Sequence, residues 1–179
     1  MWGQYLADEL DNLWTQAYGA LHDQVSNVRF DLTLLALREA VECQKVNCTL
    51  AASIMCRNTI ESVLFALHQW QRKRPAQIAL GWDQRRRIRS LIKWAKGNGV
   101  LTDRQVKKAE EIVEQGDFAA HFEERVSEER LRHGTQGESY RVDLGSQEAL
   151  HTIKDTIKLL TAIPDASYVK NRLNSKCRN

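Results

Sequence analysis

The chain has 179 residues, 42% hydrophobic and 27% charged, with two prolines, nine glycines and a formal net charge of +3. That is long enough for one domain with a proper core, too apolar for a disordered chain and too broken by charge for a membrane span. The opening MWGQYLADEL has no basic n-region and is acidic early, so it does not read as a secretory signal. The expected compartment is the cytoplasm, with no membrane partner.

Helical periodicity dominates from there on. Residues 4–23 carry Leu6, Leu10, Leu13, Ala17 and Leu21 on one stripe, and residues 31–45 carry Leu34, Leu35, Leu37, Ala40 and Val41. Residues 49–71 are apolar almost all round, which marks a central helix. Arg57 and Glu61 stand four apart on that helix and so share a face. Charges on a buried helix must be satisfied, most simply by each other and by neighbouring backbone. The two are therefore read as a structural ion pair.

A polar link with Pro75 and Gly81 covers 72–84. A basic helix is predicted over 84–96, with Ile88, Leu91, Ile92 and Ala95 inward. Gly97-Asn98-Gly99 ends it with residues that accept left-handed backbone. Thr102-Asp103-Arg104-Gln105 reads as a capping box for a helix running to Gln115, with Val106, Ala109, Ile112 and Val113 inward. Gly116 is expected to stop that helix, and Asp117 to cap another over about 118–131. Residues 132–145 read as a loop with a short extended piece at 140–144. Ser146 opens a last helix to Ile163, with Leu150, Ile153, Ile157 and Leu160 on one stripe. Pro164 ends it, and the basic tail 166–179 is expected to fray.

Charge is unevenly spread. Residues 72–96 hold nine Lys/Arg against one acid, and residues 108–131 hold eight acids against three bases. One basic face and one acidic face follow, either solvated and paired with each other or, for the basic one, binding phosphates. The candidate nucleic-acid contacts are Arg85, Arg86, Arg87, Arg89, Lys93 and Lys96, with Trp82 and Trp94 able to stack on bases or to serve the core. Cys43, Cys48, Cys56 and Cys177 match no zinc spacing and read as buried or spectator thiols in a reducing compartment; no metal and no cofactor are expected. The Asn47-Cys48-Thr49 acceptor triplet reads as chance.

Three stretches carry a family resemblance: NCTLAASIMCRNTIESVLFAL (47–67), RIRSLIKWAKGNGVLTDRQ (87–105) and AEEIVEQGDFAAHF (109–122). Together they resemble the HEPN-like helical domains. More narrowly, they resemble the uncharacterised (DUF-type) bacterial branch that often accompanies restriction and defence systems. Arg57 and Glu61 match that branch's R-x-x-(L/I)-E. Gly116, Asp117, Ala119, Ala120 and His121 match its G-N-x-A-A-H, with Asp in place of Asn. The resemblance covers about residues 35–125.

It implies an all-α antiparallel bundle of about six to seven helices, a single domain over 1–165, that often dimerises. In the HEPN ribonucleases an Arg lies four to six places ahead of the His, and the two cut RNA without metal. The Arg holds phosphate while a proton moves at the ribose 2′-hydroxyl. Here those places hold Glu114, Gln115 and Gly116. Arg125, one turn past His121 on the same face, is one substitute, and an arginine from a partner subunit is another. The candidate catalytic set is thus His121, Asp117 and Arg125. The competing reading is a non-catalytic module that forms a homodimer or binds a partner protein, in a defence or toxin–antitoxin setting. A third is RNA or nucleotide binding through the basic helix.

Overall fold

The computed structural model describes residues 2–25, 28–72, 84–121 and 146–176. They form an all-α bundle: α1 (Trp2–His22), α2 (Asp31–Lys45), α3 (Thr49–Arg72), α4 (Gln84–Gly97), α5 (Asp103–Ala120), α6 (Ser146–Ala162) and α7 (Ser167–Lys176). No strand occurs among the described residues. The link 73–83, with Pro75, Gly81 and Trp82, lies outside them, as do the loop and extended piece of 132–145.

The apolar character of α3 has a direct structural use. This helix packs against α2, α4, α5 and α6 at once, while α1 packs against α2 and α6. Its Cys56, Ile60, Val63, Leu64 and Leu67 are buried, meeting a core that includes Leu37, Ile112, Ile153 and Leu160 from the surrounding helices. Each such side chain contributes at most about 1.5–3 kcal/mol through removal from water. Thr49–Gln71 is long and apolar enough, by length and composition, to cross a membrane. Yet 56% of its most apolar window is buried inside the bundle, so packing accounts for much of its hydropathy.

Helix ends follow local chemistry. Thr102 caps α5: its side chain accepts from the Gln105 N–H, and the Gln105 carboxamide oxygen accepts from the Thr102 N–H at 2.8 Å. Gly99 adopts φ +68 past the end of α4, where its hydroxyl-bearing neighbour Ser167 leaves little room for a side chain. Between α1 and α2, Lys45 Nζ meets Asp11 Oδ1 at 2.8 Å and Arg38 Nη1 meets the same oxygen at 3.1 Å.

Three sequence expectations change. The apolar pattern of α2 groups Leu35 with Leu34, Leu37, Ala40 and Val41, but Leu35 is 56% exposed; Thr33 and Gln44 are buried on that helix instead. The tail expected to fray forms α7 over 167–176. Val169 is fully buried, the Tyr168 ring meets Trp70 and Trp94 edge-on, and Arg172 Nη2 donates to the Gln71 carbonyl at 3.3 Å. These are contacts between distant segments, which a tail's own composition does not disclose. The third change, at Gly116, shapes the candidate site.

Candidate functional site

Ser53, Arg57 and Glu61 recur every four residues along α3, so they share the face turned to α5. Helix α5 answers with its smallest residue. A Cβ on Gly116 would fall 2.4 Å from Arg57 Cβ and 3.0 Å from the Ser53 carbonyl oxygen. Glycine at 116 therefore permits a backbone approach that any side chain blocks.

This explains why Gly116 does not stop the helix. α5 continues through Gly116 and Asp117 to Ala120, and His121 is its C-cap, with backbone N–H directed at the Asp117 and Phe118 carbonyls. Glycine inside a helix costs about 1 kcal/mol relative to alanine. The close α3–α5 packing offsets that cost. Asp117 is accordingly not the N-cap of a following helix, and residues 122–131 lie outside the described part of the chain.

With Asp117 inside α5, its carboxylate faces α3. Arg57 Nε donates to Asp117 Oδ1 at 2.7 Å, and Arg57 Nη1 donates to Glu61 Oε2 and Asn58 Oδ1, both at 3.3 Å. The Arg57, Glu61 and Asp117 side chains are only 7%, 12% and 15% exposed, so water screens them little. One guanidinium thus bridges two carboxylates on two helices. Such a cluster is costly to desolvate but costly to break, because removing one partner strands a buried charge. Chemically, Arg57 is committed through Nε and Nη1 to carboxylates, and Asp117 is committed to Arg57. His121 stands half-buried one turn beyond Asp117.

The remaining candidates are not gathered here. Arg125 lies outside the described residues, and so do the side chains of Arg85, Arg86 and Arg87. Arg89, Lys93 and Lys96 are exposed on α4 and line a groove of about 780 Å³ between α4 and α5. Asp103, Glu110 and Glu114 line it too, and Lys96 Nζ is 2.7 Å from Asp103 Oδ1. Its charge is mixed, unlike the one-sign surface expected of a phosphate track. Trp94 is held on several sides: Nε1 donates to Gln71 Oε1 at 2.8 Å, and its ring meets His68 and Tyr168 edge-on.

Sequence reasoning missed a second polar cluster, on α6. Asp155, nearly buried, lies 3.0 Å from both Lys108 Nζ of α5 and His151 Nε2. The His151–Asp155 spacing of four was legible; the cross-helix lysine was not. Next to it the Thr152 hydroxyl donates to Gln115 Oε1. Glu111 first, then Asp155, pushes the Lys108 amine above its ordinary range. Among the described residues no three His, Cys, Asp or Glu side chains are grouped to hold a metal ion.

Fold and site define a class: an all-α helical bundle whose central helix is tied to α5 through a buried arginine and two carboxylates. Comparison with protein-family models, with curated proteins and with solved structures gives no significant match.

Proposed function

We propose that the chain is a degenerate, non-catalytic HEPN-like module that acts by dimerisation or by binding a partner protein, in a defence or toxin–antitoxin setting. The observation that carries this reading is the fate of Arg57. It is the arginine fixed beside the Gly116–His121 motif, and it is buried and bonded to Asp117 and Glu61. Glu114, Gln115 and Gly116 occupy the places of the family's phosphate-holding arginine. An in-place carboxylate repels an RNA phosphate where a guanidinium would hold it.

The α2 surface supports the binding half of the reading. Leu32, Leu35 and Val46 are 59%, 56% and 70% exposed. Leu32 and Leu35 stand three apart at the start of α2 and so share a face, while Val46 is the C-cap at its far end; large apolar side chains left in water suit a contact surface. The occupant we favour is a second copy of the chain.

The test pairs two measurements on the purified protein. Incubation with single-stranded and structured RNA should give no cleavage that depends on His121. Sedimentation should give a dimer that Leu35→Asp converts to monomer with the fold intact. RNA cleavage abolished by His121→Ala, in a variant that stays folded, overturns the non-catalytic reading and favours a ribonuclease with a non-standard arginine.

A further inference from the structure

Two helices of the bundle end in the same hydrogen-bonded motif. Past α4, the Val100 N–H bonds to the Ala95 carbonyl at 2.9 Å and the Gly99 N–H to the Lys96 carbonyl at 3.1 Å, with Gly99 at φ +68. Past α2, the Cys48 N–H bonds to the Cys43 carbonyl at 2.8 Å and the Asn47 N–H to the Gln44 carbonyl at 3.0 Å, with Asn47 at φ +60. Both are Schellman motifs, in which the residue just past the turn is set against one in the last helical turn. At α4 that pair is Ala95 and Val100, both buried in the core. At α2 the same two positions hold Cys43 and Cys48.

Both are free thiols, Cys43 half-buried and Cys48 exposed. The backbone bond limits how far apart they can be. The trigonal bend at the Cys43 carbonyl holds its Cα about 2.4 Å from the oxygen, so with a 2.8 Å hydrogen bond and a standard N–Cα bond the Cα–Cα separation is at most roughly 6.7 Å. Disulfides span roughly 4.4–6.8 Å between Cα atoms. Burial pushes the Cys43 thiol up first, and Cys48, Glu39 and Glu42 add to it. The third described cysteine is of a different kind: Cys56 is fully buried, and burial pushes its thiol up to about 12.

We propose that Cys43 and Cys48 are a dithiol site at the α2–α3 turn that closes to an intramolecular disulfide by exchange with a small-molecule disulfide. The Cys48 thiolate attacks one sulfur of that disulfide and releases one small thiolate, which takes up a proton. Cys43 then loses its proton to solvent and attacks the Cys48 sulfur, releasing the second small thiol. Two protein thiols are oxidised by two electrons, and one small disulfide is reduced to two thiols. Access selects the exposed Cys48 for the first attack, and the half-buried Cys43 resolves it. The site does not depend on the function proposed above.

The experiment uses the full chain in a Cys177→Ser background, reduced and then exposed to oxidised glutathione. Tandem mass spectrometry of a non-reduced digest should find Cys43 bonded to Cys48 within one chain, with Cys56 still alkylatable after unfolding. Cys43→Ser should stop at a glutathione adduct on Cys48. Phenylarsine oxide, whose arsenic bridges two close thiols, should bind once per chain and be lost in either single serine variant. If the unmutated pair keeps a glutathione adduct on Cys48 as Cys43→Ser does, the proposal fails. It also fails if the bond joins two chains, or if arsenical binding survives Cys48→Ser.

Discussion

Arg57 on α3 and Asp117 on α5 are sixty residues apart in sequence and 2.7 Å apart in space. The contact closes the α3–α5 interface on its polar side, next to the point where Gly116 lets the backbones meet. Arg57→Ala removes the cation between two buried carboxylates, and its expected cost is about 3–5 kcal/mol. Asp117→Ala should cost less, because Glu61 still neutralises Arg57. The double variant should cost less than the sum, since with Arg57 gone the Asp117 carboxylate is itself the stranded charge. Urea unfolding of the two single variants and the double variant measures this. Strict additivity would sink the assignment of the pair as one energetic unit.

Gly116→Ala sets two effects against each other. Alanine improves helix propensity by about 1 kcal/mol. Its Cβ, however, meets Arg57 Cβ at 2.4 Å and the Ser53 carbonyl at 3.0 Å, and a backbone oxygen cannot swing aside. Overpacking of this kind typically costs about 1–3 kcal/mol, so the net change should be destabilising. A urea midpoint that rises in Gly116→Ala would show that α3 and α5 do not approach so closely.

The same glycine shows where sequence reading works and where it stops. The all-round apolar pattern of 49–71 was enough to make α3 central, because only a helix covered on several sides can hide that much apolar surface. Arg57 and Glu61 were legible as a pair because spacing of four puts them on one face. Thr102 and Gln105 were legible as a cap because the capping box is local chemistry. Asp117 as the second partner of Arg57 was not legible. Gly-Asp is an ordinary helix-stop and N-cap signal, and only the position of α3 reverses it. Leu35 and α7 were misread for the same reason: both depend on which surfaces distant segments cover.

The Thr102 cap gives a prediction free of such tertiary effects. Thr102 is exposed, and both reciprocal bonds of the box lie within four residues. Thr102→Ala removes the side-chain acceptor for the Gln105 N–H and should cost about 1 kcal/mol, whereas Thr102→Ser should be near neutral. Thermal or urea midpoints of the two variants decide this. Equal losses for alanine and serine would mean that the hydroxyl contributes nothing.

Asp11 connects stability to pH. Its carboxyl is held below the usual carboxylate range, first by the hydrogen bond from Lys45 and further by the nearby Arg38 guanidinium. The Lys45 amine is raised in turn, first by its bond to Asp11. A carboxyl whose folded value lies below its unfolded one, about 3.9 for Asp, contributes stability that is fully present above the unfolded value. That contribution is lost as pH falls through the lowered folded value. Lys45 behaves oppositely: its share is present below its unfolded value and lost as pH rises through the raised one. Asp11 is about half exposed, so the effect is small and weakens with salt. Asp11→Asn should flatten the acid limb of the urea midpoint below about pH 4 at low ionic strength. Some slope should persist, because Lys108 holds Glu111 low in the same way. Acid limbs that run parallel in Asp11→Asn and the unmutated chain would remove Asp11 from the account.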